Sequence, residues 1–178
     1  MKSSGSETQP ASDALVGLGE AVTAGGARAE LLAEVADLYR RADARIAAVG
    51  ATCMGGGVCC RFDLASHRLY VSTAELAALV QQTPAVWPAG PGRCPYQLGP
   101  RCMARDRRPL GCRTHFCNTL SSSALQAIYE QFHDLLCSLH ERLGAEYHYV
   151  ELTAGLEQCL QGSAGADRPM TILKPDGA

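Results

Sequence analysis

The sequence has no surplus of positive charge: 16 Lys and Arg stand against 18 Asp and Glu, for a formal net charge of −2 and a pI near 6.2. A general nucleic-acid binder presents a strongly basic face, so no nucleic-acid partner is expected. The chain also lacks any apolar run near the roughly 18 residues that span a bilayer. Lys2 is followed by Ser3, Ser4, Gly5 and Ser6 rather than by the apolar stretch of a signal peptide. The expectation is a cytoplasmic protein with no membrane partner. There is no G-x-S-x-G, no phosphate-cradling P-loop and no H-E-x-x-H, so no nucleophile, base and orienter can be assembled and the catalytic residues are unknown. Gly55 to Gly57 are flanked by cysteines and follow no strand, which excludes a nucleotide loop. The C-x-x-C spacing of a zinc ribbon and the usual ferredoxin spacing are both missing. No internal repeat is present.

Cysteine is what the chain has in plenty. There are 9, an odd number that cannot pair completely, and in a reducing compartment clustered cysteines serve as metal ligands or redox groups more often than as disulfides. Most fall in two runs. The first is Cys53-Met54-Gly55-Gly56-Gly57-Val58-Cys59-Cys60; the second holds Cys94, Cys102, Cys112 and Cys117. Thiolates gathered so closely repel one another unless something positive neutralises them, and a soft metal or an iron–sulfur cluster does so directly. The neighbours Cys59 and Cys60 should project divergently. Both bind one tetrahedral ion only with a strained backbone; otherwise they bind different atoms of a polynuclear cluster, or one ligates while the other packs or reacts. The cofactor expected is an iron–sulfur cluster, 4Fe-4S included, or zinc.

The frame around these runs reads as mainly α. Leu31, Leu32, Val35, Leu38, Tyr39, Ala42, Ile46 and Val49 recur at helical spacing, predicting a long helix over 28–49. A second long helix is predicted over 122–143, where Leu125, Ile128, Phe132, Leu135, Leu136, Leu139 and Leu143 form the stripe that must pack on the first. Short strands are predicted at 67–72 and 147–152. A helix capped by Thr73 follows the first strand, and a last helical turn or two follows the second. Residues 83–118 carry six prolines (Pro84, Pro88, Pro91, Pro95, Pro100, Pro109) and should be irregular, which asks for an organiser such as a metal. The expected organisation is a mobile leader over 1–26 with a weak helical turn near Leu15 to Leu18, one cysteine-cluster domain over 27–162 with its metal-binding core at 53–117, and a polar tail over 163–178. The expected fold is thus a small helical domain with two long helices, one or two short strands and an irregular cysteine-rich loop region.

Three segments, the Cys53, Cys59, Cys60 run, the stretch from Cys94-Pro95 through Gly99 to Arg101-Cys102, and Arg108-Pro109-Leu110-Gly111-Cys112-Arg113, resemble the YkgJ-type cysteine-cluster family of zinc- or iron-chelating domains, a relative of which occurs in flagellin lysine N-methylase. The resemblance covers about residues 53 to 117. Many members carry a further cysteine where this chain has Gly56, and others an aromatic residue at the place of His115. The resemblance implies metal chelation and, as an alternative activity, methylation of protein lysines, although the larger architecture of that enzyme is absent. The ligand set read from the residues is Cys53, Cys59, Cys60, Cys94, Cys102 and Cys112, with Cys117 the outermost addition and His115 a candidate nitrogen donor.

Arg93, Arg101, Arg105, Arg107, Arg108 and Arg113 lie among these cysteines, opposed locally only by Asp106. They read as compensation for thiolate charge or as an anion site, for which Arg108 and Arg113 are the candidates because they lie inside the family-like motif. His67, His133, His140 and His148 read as structural, Tyr129 and Tyr147 as packing phenols, Cys159 as core and Cys137 as a half-exposed thiol. The functional expectation is a metal-binding protein whose cluster serves electron transfer or modification of another molecule, with a protein or small-molecule partner that the sequence leaves unknown. The alternative is a non-catalytic module in which zinc ties the loops together and the surface binds a partner. The oligomeric state is not legible.

Overall fold

The computed structural model describes residues 15–53, 55–65, 67–115 and 122–161. The chain is mainly helical. In order come α1 (Leu18–Gly26), α2 (Ala29–Ala48), a 3-10 turn (Val58–Cys60), α3 (Phe62–Ala65), β1 (Tyr70–Ser72) and α4 (Thr73–Val80). After them come β2 (Gln97–Leu98), β3 (Arg101–Cys102), a second 3-10 turn (Arg105–Arg107), α5 (Leu110–Thr114), α6 (Ser122–Leu143), β4 (Tyr149–Glu151) and α7 (Leu152–Gln161). Among the described residues no helix is long and apolar enough to cross a membrane.

The two long helices pack on each other as the stripes require. Leu31, Val35, Leu38, Tyr39, Ala42 and Ile46 of α2 meet Leu125, Ile128, Phe132, Leu136 and Leu139 of α6 in one apolar cluster. A second cluster gathers Leu18 and Val22 of α1, Leu76 and Leu79 of α4, Val71 and Val150 of the paired strands, Leu152 and Leu156 of α7, and Tyr96. Strands β1 and β4 pair antiparallel with Val71 opposite Val150. The shorter β2–β3 hairpin sets Gln97 opposite Cys102.

Four sequence expectations change. Residues 18–26 are a helix with Leu18 and Val22 in the core, well beyond the weak turn near Leu15 to Leu18 expected in the leader, whose Ser, Gly and Thr content masked how far the helix runs. The cap of α4 is Ser72, not Thr73: the Ser72 Oγ accepts from the Glu75 amide at 3.4 Å, and the Glu75 carboxylate accepts from the Ser72 amide at 2.8 Å, a reciprocal box that a Ser-x-x-Glu sequence supplies. The proline-rich stretch contains the β2–β3 hairpin, a 3-10 turn and α5 rather than irregular chain alone. The final turns form a ten-residue helix, α7. Residues 1–14, Cys117 and the tail over 163–178 lie outside the described residues.

Glu75 joins the two clusters to the cysteine loops. Its buried carboxylate accepts from the Ser72 amide, from the Ser72 hydroxyl at 3.0 Å, and from the Leu110 amide at the start of α5 at 2.7 Å. The Tyr39 hydroxyl donates to it more distantly, at 3.5 Å. Burial pushes the Glu75 carboxyl above the ordinary glutamate range, and the hydrogen bonds from Ser72 and Leu110 oppose that push.

Candidate metal centre

Six cysteines converge on one pocket. Cys53, Cys59, Cys60, Cys94, Cys102 and Cys112 line a cavity of about 200 Å³ together with His115, Arg108 and Phe62. These cysteines come from three separate pieces of chain, the Cys53–Cys60 loop, the segment around the β2–β3 hairpin and α5, so the convergence is a tertiary property. The Cys94 amide donates to the Cys60 carbonyl at 3.0 Å, and the Gln97 side-chain amide donates to the Gly57 carbonyl at 2.9 Å. These bonds clasp the Cys53–Cys60 loop onto the β2–β3 hairpin. Behind it Tyr96 is buried and its hydroxyl donates to the Leu79 carbonyl at 3.2 Å, anchoring the hairpin on α4. Cys112 enters from α5, whose start Glu75 holds.

Gly57 is the position in the first run that only glycine suits. Its φ is +69°, and a Cβ there would stand 2.7 Å from Gln97 Nε2 and 3.0 Å from the Pro100 Cα. The backbone of Pro100 cannot swing aside. Gly55 has a similar φ of +71° but open space around it. We therefore expect Gly57→Ala to lower stability by about 2 kcal/mol or more, because the left-handed backbone alone costs a side chain about 1–2 kcal/mol. Gly55→Ala should lose only the backbone share. Urea midpoints of the two variants check this, and equal losses would remove the steric argument.

Cys59 and Cys60 do not diverge. Their sulfurs lie 4.0 Å apart across the 3-10 turn, whose tight winding turns both side chains toward the pocket. The Cys59 thiol is driven well above the ordinary range, first by its hydrogen bond with Cys60 and then by burial. The same bond lowers Cys60, but its bond with Cys94, burial and the charges of Cys94 and Cys102 outweigh it and push the Cys60 thiol up to about 12. Burial raises Cys112 and Cys102 as well; the charges of Cys60 and Cys102 add to the first, and a backbone hydrogen bond and the Arg108 charge oppose the second. Burial and crowding thus favour the protonated forms of Cys59, Cys60, Cys102 and Cys112, a preference that a bound cation would oppose. No disulfide joins any of the 8 described cysteines. Among the described residues no three His, Cys, Asp or Glu side chains are already drawn together as a ligating group. The sulfurs line a common space without closing on one point.

The two candidate arginines part company. Arg108 lines the pocket, where its positive charge favours the thiolate forms of Cys59, Cys102 and Cys112; its Nε donates to the Arg105 carbonyl at 3.1 Å. Arg113 is buried outside the pocket lining. Its Nε donates to the Arg108 carbonyl at 2.7 Å, one Nη to the Asp106 carbonyl at 2.6 Å and the other to Asp43. Its guanidinium lies over the Tyr39 ring, 4.1 Å from the centroid. With a bond from each of its three nitrogens, Arg113 positions the Arg105–Arg108 turn from outside the pocket lining. Arg113→Lys, which keeps the charge but loses the planar fork, should lower the melting temperature by several degrees, at roughly 2–4 °C per kcal/mol for a chain of this size. A variant that melts with the wild type would show that the fork is dispensable.

Cys137 and Cys159 stand apart from the pocket. Cys137 is half-buried on α6, 3.8 Å from His133 Nε2 and 3.6 Å from the Tyr147 hydroxyl; Tyr129 and Tyr149 share a hydrogen bond beside it. Cys159 packs against the second cluster, and burial raises its thiol to about 11. The Tyr129, Tyr147 and Tyr149 phenols are raised by burial first. His115 forms part of the pocket wall, and its imidazole is lowered by burial and then by the His67 charge. The sequence passed over His67, whose ring stacks on His115 with centroids 4.3 Å apart. It follows the Cys59–Cys60 pair by seven residues with no second donor beside it, so no ligand-pair spacing marked it. Comparison of the chain with family models, curated proteins and solved structures finds no match.

Proposed function

We propose that the thiol pocket is a soft-metal centre and that the protein works through it, with an iron–sulfur cluster as the first reading. The observation that carries the proposal is the arrival of six cysteines from separate loops at one small cavity that also presents a guanidinium. Buried thiols are common singly, whereas this number around one space is the chemistry of a thiolate-bound metal. Six exceeds the four positions of a tetrahedral ion and the four thiolates of an ordinary iron–sulfur cluster alike, so four would ligate and the others stand by within the same pocket. The likeness of three loop segments to the YkgJ-type cysteine-cluster family supports the same reading. The ligands would be drawn from Cys53, Cys59, Cys60, Cys94, Cys102 and Cys112, and Arg108 would offset the negative charge of the group. Such a group would supply one-electron transfer, or a Lewis-acidic iron for modification of another molecule.

The Cys59–Cys60 separation favours a second reading, zinc. With Zn–S bonds near 2.3 Å the edge of a tetrahedron is about 3.8 Å, close to the 4.0 Å between these sulfurs. Thiolates on different irons of a cubane are held farther apart by the bridged irons between them. In that reading the zinc fastens the loops and the surface carries the function.

Metal analysis of protein purified without oxygen decides between them. Iron with acid-labile sulfide and a brown colour supports the cluster; colourless protein with stoichiometric zinc supports the alternative; neither metal bound, even after reconstitution, overturns the proposal. Hydrogen exchange with and without a strong chelator adds a structural check. The loops over Cys53–Cys60 and Cys94–Cys112 should lose protection on metal removal while α2, α6 and the core helix α4 keep part of theirs. Equal protection of the loops in both samples would count against a structural metal.

A further inference from the structure

His67 carries an anomaly that packing does not resolve. Both of its ring nitrogens are buried, and among the described residues neither has a hydrogen-bond partner. A neutral imidazole always presents one donor and one acceptor, and leaving both buried and unmet is destabilising. His140, by contrast, accepts from the Ala74 amide through Nε2 at 3.3 Å and places Nδ1 3.2 Å from the Ala145 carbonyl. A histidine placed only to fill space would be replaced at no loss by phenylalanine.

The neighbours of His67 give the missing partner an address. One face stacks on His115, the edge of Phe62 meets it with centroids 5.2 Å apart, and Leu69 follows two residues on. All three of those residues line the thiol pocket. His67 itself does not line the pocket and its nitrogens open onto no free space, so they meet a metal held by the sulfurs only when the wall residues packed on the ring shift as the metal binds. We infer that His67 is a nitrogen donor of the metal centre, giving the site a mixed sulfur and imidazole shell. Imidazole suits zinc and iron alike, so the inference rests on the metal reading but not on the choice between cluster and zinc.

The test pairs two variants with one direct observation, using Zn²⁺ alone as the probe because it takes thiolate and imidazole without added sulfide. In His67→Phe the metal-free protein should be as stable as wild type or more so, since the unmet nitrogens are gone. Its zinc affinity should nonetheless fall at least about tenfold, the scale seen when partners of a metal site are lost. His67→Cys should restore part of that affinity. Heteronuclear NMR of the wild type should show one His67 ring nitrogen shifting on zinc addition.

Wild-type zinc binding that survives unchanged in His67→Phe, with no His67 shift, overturns this inference and leaves the metal centre standing. A wild type that binds no metal overturns both. Should His67→Phe fail to fold, the wild-type nitrogen shift decides alone.

Discussion

Serine in place of Cys60 or Cys112 should strip most of the metal from the protein, while serine in place of Cys137 or Cys159 should leave it untouched. The expected loss follows from hardness and protonation. A serine hydroxyl is a harder donor than a thiolate and stays protonated at neutral pH, so it does not replace the lost ligand. Cys60 sits where three influences meet: its sulfur contacts Cys59, exchanges a hydrogen bond with Cys94 and feels the charge of Cys102. Cys112 is likewise coupled to Cys59, Cys60 and Cys102. Cys59 and Cys102 should behave in the same way, and His115, on the rim, should show a smaller loss. Cys137 faces His133 and Tyr147 instead, and Cys159 faces the second apolar cluster. Metal per chain across the series is the readout. Unchanged stoichiometry in both Cys102→Ser and Cys112→Ser would remove the pocket from consideration.

The long helices were legible because each repeats apolar residues at helical spacing for five turns or more, and periodicity of that length has few rival interpretations. The cysteine set was legible from density alone. What the sequence concealed depends on contacts between distant segments. Arg108 and Arg113 look equivalent in the motif, yet one turns to the sulfurs and the other is consumed by Asp43, Asp106 and the Arg108 carbonyl; only the position of α2 separates them. Cys59 and Cys60 were expected to diverge because that is what extended neighbours do, and a 3-10 turn entered through left-handed Gly57 reverses the expectation. A turn near Leu15 to Leu18 was legible, but its continuation to Val22 was hidden by a composition typical of a leader. Glu75 showed only as one acid in an amphipathic helix, with no sign that it would be buried.

Removing the Glu75 carboxylate should be the most damaging single change outside the cysteines. Glu75→Ala leaves the Ser72 and Leu110 amides without acceptors in a place where the residue itself is 2% exposed, so water does not take over. At about 1–3 kcal/mol per stranded donor, the Ser72 and Leu110 amides together put the penalty on the order of 4 kcal/mol. That is a large share of the roughly 5–15 kcal/mol holding a domain together. Because Leu110 begins the helix that carries Cys112, metal retention should fall with stability. Glu75→Gln, which keeps one carbonyl oxygen but turns an amide donor toward existing donors, should lie between wild type and alanine. The raised carboxyl fixes the pH dependence. A group whose pKa is higher in the folded state than in the unfolded one gives its full contribution below the unfolded value, near 4.5, and loses it as pH climbs through the folded value. The stability advantage of wild type over Glu75→Gln should therefore be greatest in mild acid and shrink as pH rises toward neutrality. Urea midpoints of the metal-free proteins across that window test it. An advantage that grows with pH would mean that the carboxylate is stabilised by its hydrogen bonds more than burial disfavours it, and a Glu75→Ala variant melting within a degree or two of wild type would show that α4 and α5 are joined by other means.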